Sequence, residues 1–135
     1  MHIYDKDFVQ GELPMTKQEV RAVTVAKLQL KPNSILIDVG AGTGTIGIEC
    51  ATYISNGKVI GIEKEEKKFN LTNYELIYGR APEAIPNITY DRMFIGGSTG
   101  SMKNILEHFI KYSTVDARLV INTITLESLN DTMSL

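Results

Sequence analysis

One cysteine, no tryptophan and four prolines are found among 135 residues. With Cys50 alone, no internal disulfide can form. No histidine or second cysteine stands near it to build a metal site, so it reads as a small buried hydrophobe in a reducing compartment. Long apolar runs are missing too. None approaches the ~18 residues of a membrane span, and the longest is broken by Asp38 and by glycines. The opening Met1-His2-Ile3-Tyr4-Asp5-Lys6-Asp7 lacks the basic-then-apolar order of a signal peptide. A net charge of −2 excludes a global basic field of the kind that recruits nucleic acid. These absences predict a cytoplasmic protein with no membrane and no nucleic-acid partner.

What is present fits one globular domain over residues 1–135: apolar content is 43% and charged content 22%. Residues 1–14, ending in Pro14, read as an N-terminal arm. Thr16 and Glu19 form a capping box ahead of a helix over Lys17 to Leu28, with Val20, Val23 and Leu28 on one face. Ile35 to Val39 is a short β-branched run bounded by a turn and by glycine, hence a buried strand. A helix over Thr45 to Tyr53 follows the turn Gly40 to Gly44. Further strands are expected over Lys58 to Ile62, Tyr74 to Tyr78, Arg92 to Ile95 and Arg118 to Thr123, with a helix over Met102 to Lys111.

Strands alternating with helices predict an α/β fold with a doubly wound, mostly parallel, Rossmann-like sheet. Ligands of such sheets sit beyond the carboxyl ends of the strands, at the switch point. Two features predict missing residues. Only eleven residues separate Glu63 from Glu75, near the ~10–12 minimum for a parallel crossover with its helix. The chain also stops at Leu135 as Leu126 to Met133 turns helical, which leaves the last sheet edge bare. The fold is therefore expected to be incomplete at the C-terminus.

The strongest motif is Asp38-Val39-Gly40-Ala41-Gly42-Thr43-Gly44, an acidic residue closing a strand before G-x-G-x-G. A ligand lying against bare backbone needs glycines there, and the following helix aims its amides at it. Gly42, Gly44 and Gly47 also satisfy the dinucleotide pattern G-x-G-x-x-G, with Glu63 at the spacing of an acidic ribose ligand. Two arguments weigh against that register. It displaces the first glycine from the strand end, and it sets Asp38 against a pyrophosphate. S-adenosylmethionine carries a sulfonium and an ammonium, which a carboxylate favours. Glu63, closing the second strand, can accept both ribose hydroxyls. Ala81, in Gly79-Arg80-Ala81 after the third strand, can offer its amide to adenine and is small enough to let the ring stack.

The segments Leu13-Pro14-Met15-Thr16-Lys17 and Glu19-Val20-Arg21-Ala22, then the glycine turn, resemble the precorrin C15-methyltransferases (decarboxylating) of cobalamin biosynthesis. Gly79-Arg80-Ala81-Pro82-Glu83-Ala84 and Asp91-Arg92-Met93-Phe94-Ile95-Gly96-Gly97-Ser98 are similar to later motifs of that family. The resemblance implies a class I methyltransferase fold, S-adenosylmethionine as cofactor, a tetrapyrrole (precorrin or cobalt-precorrin) substrate and a homo-oligomer. It implies cofactor contacts at Thr16, Gly40, Ala41, Gly42, Thr43, Gly44, Glu63 and Ala81. Thr16 thus has two readings, helix cap and cofactor contact. Arg80 departs from the acidic residue often found at its position in class I methyltransferases.

Methyl transfer to carbon asks mainly for alignment. Gly96 to Gly100 follows the fourth strand, where a substrate would sit. Ser98 and Thr99 are its candidate hydrogen-bond donors, with a plain flexible loop as the alternative. Lys17, Arg21 and Arg92 could pair with substrate carboxylates, but each reads better as a surface charge, as does His108. No catalytic acid or base is identified. Two other classes stay open: a methyltransferase acting on RNA or protein, and a dinucleotide-binding module.

Overall fold

The computed structural model describes residues 18–40, 45–63, 73–96 and 101–122. Thr16 and Lys17, the turn Ala41 to Gly44, the crossover after Glu63, the loop carrying Ser98 and Thr99, the arm 1–14 and the segment after Asn122 lie outside them. Among the described residues, helices and strands follow in the order α1 (Gln18–Leu28), β1 (Ile35–Val39), α2 (Thr45–Ala51), β2 (Lys58–Glu63), β3 (Tyr74–Tyr78), β4 (Tyr90–Ile95), α3 (Met102–Tyr112) and β5 (Ser113–Ile121). The sheet order is β3-β2-β1-β4-β5, and every pairing is parallel. The order reverses at β1, which lies between β2 and β4 and so marks the switch point.

Strand periodicity divides the core into two layers. On one face Ile37, Val39, Ile60, Ile62, Met93 and Ile95 pack against Met102 and Ile105 of α3 and Ile85 of the β3–β4 connection. On the other, Leu36, Val59 and Phe94 pack against Leu28 of α1 and Ile46, Cys50 and Ala51 of α2. Ile37 at the centre is fully buried, and truncating such a side chain to alanine costs about 2–5 kcal/mol. No helix bridges β3 and β4. The chain crosses by turns that include a cis Ala81–Pro82 bond, and Ala81, Ala84, Ile85 and Ile88 cover the first face.

The structure corrects several expectations. Val20 and Val23 do not face the core; they are 41% and 59% exposed. The buried stripe of α1 is Arg21, Thr24 and Leu28. A charge can occupy that stripe because Glu49 of α2 answers it: Arg21 Nε lies 3.6 Å from Glu49 Oε1, with both side chains buried. Arg92 is not a surface charge either. It donates from Nε to the Leu28 carbonyl (2.6 Å) and from Nη2 to the Gln29 carbonyl (2.7 Å), closing the carboxyl end of α1. Its neighbour Asp91 accepts from the Ile35 amide (2.8 Å) and the Ser34 hydroxyl (3.1 Å).

Helix α2 ends at Ala51, two residues early. The Thr52 hydroxyl donates to the Glu49 carbonyl at 2.6 Å there, a local bond that competes with continuing the helix. β5 begins at Ser113, directly after α3. Tyr90 pairs with Ser113 and Arg92 with Arg118, so Asp91 alone stands opposite Thr114 to Ala117. That bulge sets Thr114 and Asp116 among small or apolar residues with no continuous apolar run, so the sequence pattern places the strand start later.

Candidate active site

Four of the five strands, β1, β3, β4 and β5, are tied to a neighbour one residue past their carboxyl ends. The Gly40 amide donates to the Ile62 carbonyl (2.9 Å), Gly79 to Glu63 (2.8 Å), Gly96 to Val39 (3.0 Å) and Asn122 to Ile95 (3.0 Å). Three of these four positions are glycine, so bare backbone lines the rim where β3, β1 and β4 end. Gly40 has φ 70°, a left-handed conformation that turns the chain sharply away from β1.

Asp38 sits just inside that rim. It pairs in register with Gly61 of β2, so the face beside it carries no side chain from β2 until Glu63, two residues on. Asp38 and Glu63 thus lie on one face of adjacent strands, the face that α1 and α2 cover. Asp38 is 1% and Glu63 6% exposed. Among the described residues, no hydrogen bond of full geometry reaches either oxygen of the Asp38 carboxylate. Burial strips it of water, and the charge of Glu63 adds to the penalty. The Gly47 amide offsets this only in part, and the Asp38 carboxyl is pushed up to about 7.

Gly47 shows why this arrangement can be built. It lies inside α2, and a methyl group there would stand 2.8 Å from Asp38 Oδ2 and would also meet the Tyr74 ring. Its bare backbone lets α2 descend onto β1 beside the carboxylate. This is a packing role, and it accounts for the third glycine of the dinucleotide pattern without a pyrophosphate. Tyr74 closes the far side of the cluster. Burial first, then Asp38 and Glu63, hold its hydroxyl well above the ordinary range.

Of the residues expected at the site, the structure brings together Asp38, Gly40 and Glu63. Ala81 is half-buried two residues past Gly79, whose amide is bonded to Glu63. Thr16, Ala41, Gly42, Thr43, Gly44, Ser98 and Thr99 lie outside the described residues. Arg21 and Arg92 are engaged elsewhere, as described above. His108 is half-buried rather than on the surface: Tyr90 Oη lies 3.0 Å from its Nδ1, and its ring stacks on that of Tyr90. Burial first, then Lys111, lowers its basicity. Tyr90 opens β4, so this pair is at the amino end of the sheet, away from the strand tips. Cys50 is fully buried and its thiol is held well above its ordinary value, as expected of an inert core residue. Gly61 and Tyr74 are the parts that sequence reasoning missed. The alternation of β2 could have flagged Gly61.

The arrangement offers two carboxylates on one face, one of them reached by no hydrogen bond of full geometry among the described residues, and a rim of bare peptide. It suits a cationic ligand that also presents hydroxyls, and it opposes an anionic one. Among the described residues no helix is long and apolar enough to cross a membrane, and no group of His, Cys, Asp and Glu is arranged to hold a metal ion.

Comparison with known proteins agrees with this chemistry. The family model described as precorrin methyltransferase domain matches residues 7–135. The chain is 39% identical to the probable cobalt-precorrin-6B C(15)-methyltransferase (decarboxylating) of Saccharolobus solfataricus, covering 98% of this chain and 72% of the relative. That alignment runs over 147 positions against 135 residues here, so the relative holds residues inside the aligned stretch that have no counterpart. Among solved structures, precorrin-6y C5,15-methyltransferase from Geobacter metallireducens matches with TM-score 0.88 and 32% identity, over 99% of this chain and 76% of that one. Precorrin 8w decarboxylase from Methanobacterium thermoautotrophicum matches with TM-score 0.87 and 27% identity, over 98% and 77%.

Proposed function

The chain belongs to the precorrin methyltransferase family, and on that premise we propose that it transfers a methyl group from S-adenosylmethionine to C15 of a precorrin or cobalt-precorrin and decarboxylates the ring C acetate. The observation that carries the reading is the buried Asp38 carboxylate, which no hydrogen bond of full geometry reaches among the described residues, beside Glu63 at the tips of β1 and β2. S-adenosylmethionine fits these residues. Its positive groups lower the energy of an unpaired carboxylate, whereas a dinucleotide would bring phosphates toward two acids.

When bound, the donor supplies a methyl group already activated on sulfur. The protein's task is to hold it. Asp38 attracts the positive charge, Glu63 accepts from the ribose hydroxyls, and the Gly40 turn lets the donor lie against peptide. Ala81, small and half-buried, borders the adenine. Thr16 and Ala41 to Gly44 complete the cradle in this reading, and Ser98 and Thr99 donate to the substrate. Holding reacting atoms in line supplies up to about 7–11 kcal/mol in good cases, so a site without an evident acid or base still suits the methyl transfer.

The test is incubation of the protein with S-adenosylmethionine and a precorrin, followed by mass spectrometry. A product that has gained a methyl group and lost carbon dioxide supports the reading; an unchanged substrate mass refutes it. The reading also includes a homo-oligomer in the cytoplasm that takes no nucleic acid. The first two rest on the family resemblance, the third on the net charge of −2. Light scattering on the purified protein checks the assembly.

A further inference from the structure

The face of the sheet under α1 and α2 buries three carboxylates, Asp38, Glu49 and Glu63, none more than 6% exposed. Glu49 is answered by Arg21. The other buried guanidinium, Arg92, is committed to the carboxyl end of α1. Asp38 is left with neither. Among the described residues the groups acting on it are Glu63 of β2 and the Gly47 amide of α2. Cys50 and Tyr74, which feel its charge from α2 and β3, and the Glu49–Arg21 pair behind them bring it no hydrogen bond of full geometry.

A buried carboxylate of this kind is stable only when a proton or a cation neutralises it. We propose that Asp38 exchanges its proton for the positive charge of the donor, so that binding S-adenosylmethionine releases a proton and pH sets the preference for charged donor over uncharged thioether product. The proposal rests on the donor-binding reading given above.

In the free protein the Asp38 carboxyl titrates at about 7, so near neutrality about half of the molecules carry the proton. A sulfonium and an ammonium nearby favour the carboxylate and expel it. In the transfer the S–CH3 bond breaks, its electron pair stays on sulfur, and the methyl group bonds to the substrate carbon. The sulfur is then neutral. The spent donor keeps one positive charge where the fresh donor had two, and return of a proton to Asp38 competes better with it. Reprotonation thus helps to release product, and the donor's advantage over product grows as pH rises through 7.

Calorimetric titration of the full chain with S-adenosylmethionine, in buffers of different ionisation enthalpy, reads the protons released per donor bound. The release expected from Asp38 is about one half at pH 7, more at pH 6 and close to none at pH 8.5, where the net reading turns to uptake. S-adenosylhomocysteine should release fewer. The α-ammonium of the ligand has the opposite sign, taking up protons near pH 8, so the two cannot be confused. Asp38→Asn should bind donor without the release. The wild-type pH series stands by itself if that variant does not fold. Tight binding with no proton released at pH 6 or 7 overturns the exchange and leaves the donor site standing. Release that persists unchanged in a folded Asp38→Asn overturns the assignment to Asp38. No binding in any buffer overturns the donor reading and this proposal with it.

Discussion

The two ends of the sheet treat buried charge in opposite ways. At the amino end, Asp91 and Arg92 are saturated: the carboxylate accepts from Ile35 and Ser34, and the guanidinium closes two carbonyls of the α1 terminus. At the carboxyl end, Asp38 is as deeply buried as Arg92, yet among the described residues no hydrogen bond of full geometry reaches its carboxylate. Burial alone therefore does not separate a structural charge from a functional one. The saturated end needs nothing more; the unsaturated end is stable only with a proton or a ligand, and its hydrogen-bonding capacity is held for what binds there.

Four measurements sharpen or break this contrast. The largest effect should come from Arg92→Ala. It strands the two helix carbonyls and takes away the guanidinium that lies 3.3 Å from Asp91 Oδ2, and removing one member of a buried charged network costs about 3–5 kcal/mol. Urea unfolding should show the loss; a change under about 1 kcal/mol would mean that the amino end does not depend on saturation.

The second is the pH dependence of the ligand-free protein. Burial raises the Asp38 carboxyl from its ordinary 3.8 to about 7 in the folded protein. The folded state keeps the proton across that window, so stability is greatest below pH 4 for this group and falls as pH rises through 7. The integrated effect is up to about 4 kcal/mol by linkage. Asp38→Asn should flatten the curve and be the more stable protein at pH 8. A wild-type curve rising over this range after correction for other acids would contradict the burial of an unanswered carboxylate.

The third is Glu63→Ala, which should weaken donor binding by about ten- to a hundredfold, the worth of hydrogen bonds to a charged acceptor, with little change in unfolding midpoint. Unchanged affinity would remove Glu63 from the site. The smallest effect is expected for Lys31→Ala. Its 2.8 Å bridge to Asp116 is solvent-exposed on both sides, and such pairs contribute little. A stability loss like that of Arg92→Ala would show that exposure is no guide here.

The parts of this contrast were unequally legible in the sequence. Asp38 and Glu63 could be placed because both close β-branched strands, and the strand-end rule for parallel sheets depends only on local pattern and chain order. The roles of Arg21 and Arg92 could not. Each is buried because a partner far along the chain, Glu49 or the end of α1, meets it, and no spacing within one helix or strand records that pairing. The same cause misplaced the face of α1, where valines look like core and a paired arginine does not. The early start of β5 was hidden by the bulge at Thr114 to Ala117, where the chain alternates but falls outside the regular register and lacks the apolar run that marks a buried strand.

The central claim is that the unsatisfied carboxyl end is the donor site, and a crystal structure of the protein with S-adenosylhomocysteine tests it most directly. The account predicts the ribose on Glu63, the amino-acid arm toward Asp38 and the nucleoside against the backbone of Gly40. A ligand bound away from the tips of β1 and β2, with the Asp38 carboxylate still unapproached, would contradict it.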